Sequence, residues 1–536
     1  INIYNYGISE YDKNSGYVSK DQSPTVIVPN VVPYRNPAGE EYPIIAYNNY
    51  VLPNGNNASV AEVQELLQSV KDCGFNVNLW ACSAPENQNV LKKNFQIAES
   101  LGLSTILNVG GLMPYAYHDA SGDVYYKPPL TSLDYVLNLY KGIGNLWGYM
   151  LMDEPVFLNW GYETPVPPDG MVDLPVAFKT YNDNSNGHVA FFNLAVDPHS
   201  VDIVGEEIKG LGIDDKAKLL RYLQAIKNKF NPSMMTVDIY PIHIIKDYPY
   251  CGILHRYYYA LEAIGEFSRV RALPFWIFML SNQHTLYSYK TDGSFEGKCE
   301  YPFPSKEALR FQAMNALAFG FRGIVFWTYS MGNSSYIDSK SEYIKGACEL
   351  ANIGDNKYRC SSSSEYEITR KPKTEYYYAP YVNGLTTEVW NNCKAVIAEI
   401  KKFGNILLGS WFQKACHVYG QLSPAPNPYP YTTAFKSPFE CVVGASGSNW
   451  GFVMTQLKKG STNFLAIVNH NPYNKQDISL TISGDYRYQQ IGTVGYDDEG
   501  QDASAQIDNE SAGTNHSITR ELGPGGMLLF SYEKIQ

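Results

Sequence analysis

The chain has 536 residues and a formal net charge of −11, and 44% of its residues are hydrophobic against 18% charged. The apolar content excludes a disordered chain, and the length predicts two or more domains, one of them large enough to be a barrel. The acidic balance, without a long basic run, argues against nucleic acid as a partner. No stretch approaches the roughly 20 apolar residues that a transmembrane segment needs.

The usual metal-binding residues form no recognisable ligand pattern. The nine cysteines include no C-x-x-C pair and the nine histidines no H-E-x-x-H motif, so we expect no metal and no other cofactor. His243 and His284 are interpreted as hydrogen-bonding residues. The sequence starts with INIYNYG rather than with methionine, which indicates processing, and we expect a secreted, periplasmic or cell-surface protein.

From about residue 42, short apolar runs alternate with helical patterns. Eight runs predict strands at 42–47, 75–80, 104–111, 149–152, 188–196, 234–241, 274–283 and 323–330. Helices are predicted at 59–74, 89–102, 131–143, 214–230, 256–270, 305–321 and 386–404, with an indistinct one within 165–185. Most runs are apolar at every position, as in parallel strands that are buried on both faces. The pattern predicts a (β/α)8 TIM barrel at 41–410, with a doubly wound sheet as the alternative.

Two further regions flank this predicted barrel. Residues 1–40 are polar and turn-rich and are interpreted as an N-terminal extension. Residues 411–536 contain alternating runs, namely GFVMTQL, NFLAIVNH, DISLTIS and GMLLFSYE, between turn-rich segments. This alternation predicts an all-β sandwich as a C-terminal domain. We expect no catalytic group there, because its carboxylates cluster in turn-like stretches such as YDDEGQD.

The predicted strands end in polar and aromatic residues. These are Asn48, Trp80, Asn108, Asp153, Glu154, Asn193, Asp238, Tyr240, Gln283, Trp327 and Tyr329. The carboxyl ends of barrel strands share one rim, which is where barrel enzymes carry their chemistry. Amides and carboxylates hydrogen-bond sugar hydroxyls, and Trp or Tyr rings stack on a pyranose. The pattern therefore predicts a carbohydrate site at this rim, whereas Trp276, in mid-strand, is predicted to lie in the barrel core.

The stretch GYMLMDEP, residues 148–155, holds the candidate catalytic groups. Its apolar run predicts strand four, Pro155 ends that strand, and Asp153 and Glu154 are left at the rim. A carboxyl group walled by aromatic rings has a raised pKa, which suits a general acid near neutral pH. The structural alternative is that Asp153 or Glu154 caps the following turn.

Four motifs resemble the glycoside hydrolases of clan A, especially family 42-like enzymes and secreted proteins of gut Bacteroidales. They are GYMLMDEP, VDIYP on strand six, PFWIFMLSNQ on strand seven and KEALRFQAMNALAFGFRGIVFWTY, which leads into strand eight. The resemblance covers about residues 40–410. It implies Glu154 as general acid/base and Trp327 as the floor of the sugar subsite. It also places Asp153 where the clan usually has an asparagine that contacts the sugar 2-hydroxyl.

The end of strand seven departs from that family. The clan carries its nucleophilic glutamate there, whereas this strand ends in SNQH with Gln283. An amide cannot attack an anomeric carbon, so the two-glutamate pair of the clan is broken. The sequence therefore leaves two functions open, a glycosidase with a different second carboxylate and a catalytically silent barrel that only binds carbohydrate.

Three alternatives stay open for the second carboxylate. Asp238 is the first, as nucleophile or as general base, although an Asp before Tyr-Pro also anchors turns. Glu296 or Glu300, on the next loop, is the second. The third is a substrate-assisted mechanism of the hexosaminidase type, in which Asp153 orients a 2-acetamido group and Glu154 protonates the leaving oxygen. We favour Glu154 with Asp238, on the expectation that their strands face each other across the rim.

Overall fold

The computed structural model describes residues 32–48, 59–81, 88–109, 115–118, 124–127, 142–153, 187–195, 215–242, 244–245, 254–282, 284–289, 295–301, 304–331, 351–352, 358–359, 379–382, 385–418, 437–448, 450–495 and 514–535. Over these residues the protein forms a closed parallel barrel followed by two antiparallel sheets. None of the helices in these ranges is long and apolar enough to cross a bilayer.

Eight parallel strands form the barrel, and all eight were predicted from the sequence. They are β1 Ile44–Asn48, β2 Val77–Ala81, β3 Ser104–Asn108, β4 Leu146–Asp153, β5 Val189–Ala195, β6 Met235–Asp238, β7 Phe275–Leu280 and β8 Ile324–Met331. Each strand pairs with the next along the chain, and β8 pairs with β1. The sheet therefore closes on itself, as in a TIM barrel, and a doubly wound sheet is excluded.

The strands are apolar on both faces because each face meets a different layer. One cluster fills the barrel interior and includes Ile45, Val77, Ile106 and Phe278. The other lies between strands and helices and includes the intervening residues of the same strands. Neighbouring residues of one strand therefore point into different layers, and this alternation decides which of the predicted site residues reach the interior.

Six helices lie around the barrel within the described residues. They are α1 Val60–Cys73, α2 Gln88–Ser100, α3 Asp215–Phe230, α4 Leu254–Arg271, α5 Lys306–Ala318 and α6 Glu388–Leu407, each at a predicted position. α1 begins with a capping box, in which the backbone N–H of Glu62 donates to Ser59 Oγ and Glu62 Oε2 accepts from the Ser59 N–H. The helix predicted at 131–143 lies outside the described residues except at its last two positions, and 165–185 lies outside them entirely.

Aromatic side chains close the amino-terminal end of the barrel. Tyr34 meets Trp147 and Trp276 edge-on, with ring centroids 6.0 and 6.3 Å apart, and the two indoles stack at 5.1 Å. Trp147 Nε1 donates to the carbonyl of Arg35 at 2.8 Å, and Trp276 Nε1 donates to Tyr34 Oη at 3.3 Å. Trp276 is fully buried, which confirms its prediction as barrel core.

Short antiparallel strands extend the segments between barrel strands. After β6 and β7, the strands Ile244–Ile245, His284–Tyr289 and Phe295–Tyr301 form one small sheet. The other short strands pair as Tyr115–His118 with Val124–Lys127, Ala351–Asn352 with Tyr358–Arg359, and Tyr381–Val382 with Leu385–Thr386. The sequence had indicated only loops in these segments, and β7 ends at Leu280 rather than at the predicted position 283.

Eight strands beyond the barrel form two antiparallel sheets. They are β9 Trp411–Val418, β10 Val442–Gly447, β11 Phe452–Lys459, β12 Thr462–Asn469, β13 Gln476–Ile482, β14 Tyr486–Val494, β15 His516–Leu522 and β16 Met527–Lys534. One sheet has the order β9-β11-β12-β16-β14 and the other β10-β13-β15. Side chains from both sheets share one buried cluster, and four of the eight strands match predicted runs.

The five-stranded sheet packs against the helix layer of the barrel. Phe412 of β9 stacks on Phe319, with ring centroids 5.2 Å apart. The guanidinium of Arg322 lies 4.2 Å from the ring centroid of Trp411. The apolar cluster of the helix layer continues into β11, β12 and β16. The contact between the two regions is therefore largely apolar, with charged groups inserted at a few points.

Candidate functional site

The carboxyl end of the barrel interior carries a layer of polar side chains. Asn108, the last residue of β3, donates from Nδ2 to Tyr47 Oη of β1 at 2.8 Å. Tyr47 belongs to the interior cluster, where its ring meets Phe278 edge-on at 6.0 Å. Because Asn108 lies two residues after the interior residue Ile106, it faces the same layer. The predicted site residue Asn108 therefore reaches the barrel interior.

A second amide lies on the neighbouring side of this layer. Asn193 of β5 is 1% exposed, and its Oδ1 accepts a hydrogen bond from Thr236 Oγ1 of β6 at 3.0 Å. After a register shift in β4, the backbone of Asp153 pairs with that of Asn193. The described end of β4 therefore lies level with this amide, and Glu154 follows directly in the sequence, outside the described residues.

Asp238 ends β6 and is the one predicted carboxylate whose side chain the structure describes. It lies two residues after Thr236 and four after the interior residue Met234, so it faces the barrel interior. Its side chain is 8% exposed. Burial raises the pKa of Tyr222 on α3, and the charge of the Asp238 carboxylate raises it further. Asp238 thus places a carboxyl group just beneath the rim.

Two aromatic rings complete this end of the interior. Tyr240 and Trp327 are both partly buried and pack against the interior cluster. Their rings are nearly parallel, with an interplanar angle of 24° and centroids 6.0 Å apart. The peptide bond between Trp327 and Thr328 is cis. Tyr240 and Trp327 therefore lie on the same side of the strands as Asn108, Asn193 and Asp238.

Three predicted site residues lie in the other layer, between strands and helices. Tyr329 is fully buried, and its hydroxyl is hydrogen-bonded to Ser69 Oγ of α1 and to Trp390 Nε1 of α6. Trp80 is 2% exposed within the same outer cluster. Asn48 donates from Nδ2 to Asn78 Oδ1 on the outer face of β2. The structure therefore does not bring Asn48, Trp80 or Tyr329 together with the interior residues. Asn48 and Trp80 each lie one position after an interior residue, and Tyr329 lies within the register shift between β8 and β1.

The remaining candidates are only partly described. Gln283 lies outside the described residues, while Ser281 and Asn282 just before it are buried. Glu296 and Glu300 lie in the strand Phe295–Tyr301 rather than in an irregular loop, and Glu300 pairs with Thr285 and Ile244. In the described part of the chain, no group of three or more His, Cys, Asp or Glu residues is arranged to hold a metal ion.

The order of the strands corrects one expectation about the carboxylates. β4 and β6 are separated only by β5, so the residues at their ends do not face each other across the barrel. Neighbouring strands lie about 4.8 Å apart, so β4 and β6, with β5 between them, are roughly 10 Å apart. Asp238 and the end of β4 therefore belong to one side of the rim.

Two residues of this layer were missed in the sequence. Tyr47 and Thr236 supply the hydroxyls that bond Asn108 and Asn193. Their positions identify them, since Tyr47 lies two residues after the interior residue Ile45 and Thr236 two residues after the interior residue Met234. Both lie inside apolar runs, where a single hydroxyl is easily interpreted as core.

Comparisons with known proteins concern the fold. No family model and no curated protein matches the chain. Similar solved structures include GH5_18 from Streptomyces cattleya in complex with GlcNAc, with 12% identity over 68% of this chain and 81% of that chain and a TM-score of 0.36. A noncanonic maltogenic α-amylase, AmyB from Thermotoga neapolitana, has 9% identity over 92% and 99% and a TM-score of 0.38. A β-glucosidase from Thermotoga maritima in complex with cyclophellitol has 10% identity over 50% and 77% and a TM-score of 0.29. At these values the similarity to glycoside hydrolases is one of fold alone.

Proposed function

We propose that this protein is a glycoside hydrolase that cleaves a glycan at the carboxyl end of its barrel. Glu154 is its general acid/base and Asp238 its second carboxylate. The four sequence motifs favour clan A, with family 42-like enzymes as the nearest type. We further propose that the protein acts outside the cytoplasm. We also propose that it has no nucleic-acid partner, in keeping with its net charge of −11.

The observation that carries this proposal is the set of side chains at one end of the barrel interior. Two amides, a carboxylate and a pair of nearly parallel aromatic rings converge there, in Asn108, Asn193, Asp238, Tyr240 and Trp327. Amides and carboxylates bond hydroxyl groups, while aromatic rings cover the apolar face of a sugar. A barrel that served only as a scaffold would have no need of this combination.

Exchange of Glu154 for glutamine tests the proposal. We expect the wild type to release sugar from one or more members of a panel of aryl glycosides and natural glycans. Glu154→Gln should lower kcat/KM on a natural glycan by about 10²–10⁴-fold, because the leaving oxygen then receives no proton. Asp477→Asn removes a carboxylate in β13 and serves as the matched control. Equal rates for the wild type and Glu154→Gln would exclude this role for Glu154.

The strand order favours inversion of configuration for a Glu154–Asp238 pair. Carboxyl groups about 6.5–9.5 Å apart leave room for a water and give inversion, whereas about 5–5.5 Å gives retention. With one strand between β4 and β6, the wider separation fits better. Proton NMR of the first anomer formed distinguishes the two outcomes, and a product of retained configuration would contradict Asp238 as a general base.

A carbohydrate-binding barrel without catalysis is the second candidate. The observation that favours it is the end of β7, where buried Ser281 and Asn282 precede Gln283 and offer no carboxylate. Such a protein binds glycan in calorimetry and forms no product during long incubation. A slow release of reducing sugar that disappears in Glu154→Gln would contradict this candidate.

A substrate-assisted enzyme is a variant of the first candidate. It is favoured by the position of Asp153, an aspartate in register with Asn193 and directly before Glu154. This mechanism needs a 2-acetamido group on the sugar. Matched aryl glycosides that differ only in 2-acetamido against 2-hydroxyl test it, and comparable turnover of both would exclude it.

We also propose that the two C-terminal sheets form a sandwich that supports the barrel. Side chains of both sheets share one buried cluster, as in aligned sheet packing. The five-stranded sheet covers apolar surface of the helix layer through Phe412 and its neighbours. Its role in this proposal is stability and solubility rather than chemistry.

A further inference from the structure

Three side chains connect the barrel to the C-terminal sheets through hydrogen bonds. Glu262 lies on α4, His417 lies on β9, and His470 directly follows β12. His417 Nε2 is 2.9 Å from Glu262 Oε1, and His417 Nδ1 is 3.1 Å from His470 Nε2. The other ring nitrogen of His470 bonds the backbone of Trp450. We call Glu262, His417 and His470 the interface triad.

The interface triad is shielded from water. The side chains of His417 and Glu262 are 6% and 17% exposed, and His470 is buried. The ring of Tyr258, one turn before Glu262, lies 4.9 Å from each imidazole. Other ionisable groups at this contact are Lys216, which pairs with both Glu262 and Glu266, and Cys416 beside His417. The charge state of the histidines is thus set by these groups rather than by solvent.

The hydrogen bonds fix the number of protons on the two imidazoles. The Trp450 bond stabilises the protonated ring of His470, so it runs from a ring N–H to a carbonyl. The bond to Glu262 also needs an N–H on His417, since a carboxylate only accepts. The bond between the two rings needs a third proton. Three protons on four nitrogens give the histidine pair one positive charge, whichever ring holds the proton between them.

His470 is the ring of this pair that resists a second proton. Burial lowers the pKa of His470 well below its usual value, and the charge of His417 lowers it further. Burial alone would raise the pKa of Glu262, but the hydrogen bonds and charges of His417 and Lys216 together outweigh burial and lower it. The triad therefore consists of a carboxylate and two imidazoles that share one proton between their facing nitrogens and have no place for a fourth proton while they are docked.

We propose that the interface triad is an acid-sensitive switch that holds the C-terminal sheets on the barrel at neutral pH and weakens this contact on acidification. In a separated state, His470 reaches water and binds a proton below its ordinary pKa of about 6.5. In the docked state it stays neutral, so the separated state binds one more proton in this range, and acid favours it. Above about pH 6.5 the separated pair binds fewer protons than the docked pair, so the stabilisation is greatest near pH 6.5 and is lost as the pH falls below that value.

The position of α4 gives the switch a route to the rest of the barrel. α4 joins β6, which ends in Asp238, to β7. It also carries Tyr258 and Glu262, which contact both histidines of the C-terminal sheets. Loosening of this contact therefore acts first on the two strands at that side of the barrel. The switch does not depend on the proposed glycosidase activity.

Hydrogen exchange of the full-length protein tests the switch. We expect amides of Leu254–Arg271 and Trp411–Val418 to exchange up to about tenfold faster at pH 5.5 than at pH 6.5, after correction for the intrinsic chemistry. In His470→Gln, in which the side chain at position 470 no longer titrates, this extra acceleration should be absent. His516→Gln, a histidine of β15 outside the triad, should behave like the wild type. The same acceleration in His470→Gln, or none in the wild type, would overturn the proposal.

A second measurement needs no substitution and covers the case in which His470→Gln does not fold. Imidazole nitrogen chemical shifts of the wild type report each ring directly. We expect His470 to stay neutral at pH 5.5. An ordinary titration of His470 near pH 6.5 would contradict the proton count on which the switch rests.

Discussion

The two ends of the barrel use aromatic side chains for different purposes. At the amino-terminal end, Tyr34, Trp147 and Trp276 pack against one another, and the indole N–H groups donate within the protein. At the carboxyl end, Tyr240 and Trp327 lie nearly parallel but share their surroundings with amides and a carboxylate. Trp276 is fully buried, whereas Trp327 is only partly buried.

This difference shows that the neighbours of an aromatic residue, and not its type, indicate its role. Both tryptophans come from apolar runs of adjacent strands, β7 and β8. The amino-terminal rings close the barrel and fit the rule that this face serves stability. The carboxyl-end rings lie among groups that bond hydroxyls, which fits the rule that the opposite face carries function.

The largest expected effects come from truncating the two tryptophans in parallel. Trp276→Ala should lower the free energy of unfolding by about 3–5 kcal/mol, because it empties a closed aromatic layer. The folded fraction should keep its affinity for sugar. Trp327→Ala should instead weaken sugar binding by roughly 10–100-fold, the equivalent of about 1.5–3 kcal/mol of lost aromatic contact.

Urea unfolding and calorimetry with a bound sugar separate these two outcomes. We expect Trp276→Ala to change the free energy of unfolding strongly and the sugar affinity weakly, and Trp327→Ala to do the reverse. Equal destabilisation by both substitutions, with sugar affinity retained in Trp327→Ala, would contradict the assignment of binding to the carboxyl end.

The sequence was sufficient for the barrel but not for the side on which each strand residue lies. Continuous apolar runs identified all eight strands, because parallel strands buried on both faces leave that trace. The same continuity does not reveal which side of the sheet each residue faces, so Trp80 and Tyr329 were interpreted as rim residues although they belong to the helix layer. Only the packing of the strands and the register shift between β8 and β1 resolve this.

The C-terminal strands show a second limit of sequence patterns. β10 has the sequence VVGASG, in which glycine and serine replace the apolar residues that mark a strand. β14 begins with Tyr486 and Tyr488, both buried, alternating with polar residues. Tyrosine is amphipathic, so this alternation was not recognised as apolar and polar. These strands and the strand order of the two sheets became evident only from the backbone pairing.

A smaller effect on stability is expected from Gly323→Ala, which tests how tightly the aromatic layer at the amino-terminal end is packed. A Cβ at Gly323 would lie 2.7–3.0 Å from three atoms of the Trp276 indole. That ring is held by Trp147 and Tyr34 and has no room to shift. We expect a loss of about 1–3 kcal/mol in the free energy of unfolding, as for other overpacked cores.

Gly444→Ala on β10 is the matched control for this substitution. Its Cβ would come no closer than 3.3 Å, to two atoms of the Thr481 side chain, so the loss measured by urea unfolding should be smaller. Sugar binding should be unchanged in both variants, because neither position lies at the carboxyl end. A Gly323→Ala protein as stable as the wild type would show that the aromatic layer is not tightly packed.

The smallest expected effect concerns the hydroxyl of Tyr34 and depends on pH. Burial raises the pKa of Tyr34 to about 12, although the Trp276 hydrogen bond and the charge of Arg322 partly oppose this. In the unfolded chain a tyrosine ionises near pH 10, so the stability due to the neutral hydroxyl is complete below about pH 10 and is lost as the pH approaches 12.

The difference in the free energy of unfolding between Tyr34→Phe and the wild type should therefore change sign as the pH rises. Near pH 8 the variant should be less stable by about 1 kcal/mol, because Trp276 Nε1 loses its acceptor. Above about pH 10 the difference should shrink, since only the wild type bears the cost of keeping Tyr34 neutral. The other buried tyrosines titrate in both proteins and cancel in the difference between urea unfolding curves at matched ionic strength. A difference that stays constant from pH 8 to pH 11.5 would show that the Tyr34 hydroxyl is accessible to solvent and that the amino-terminal end of the barrel is open.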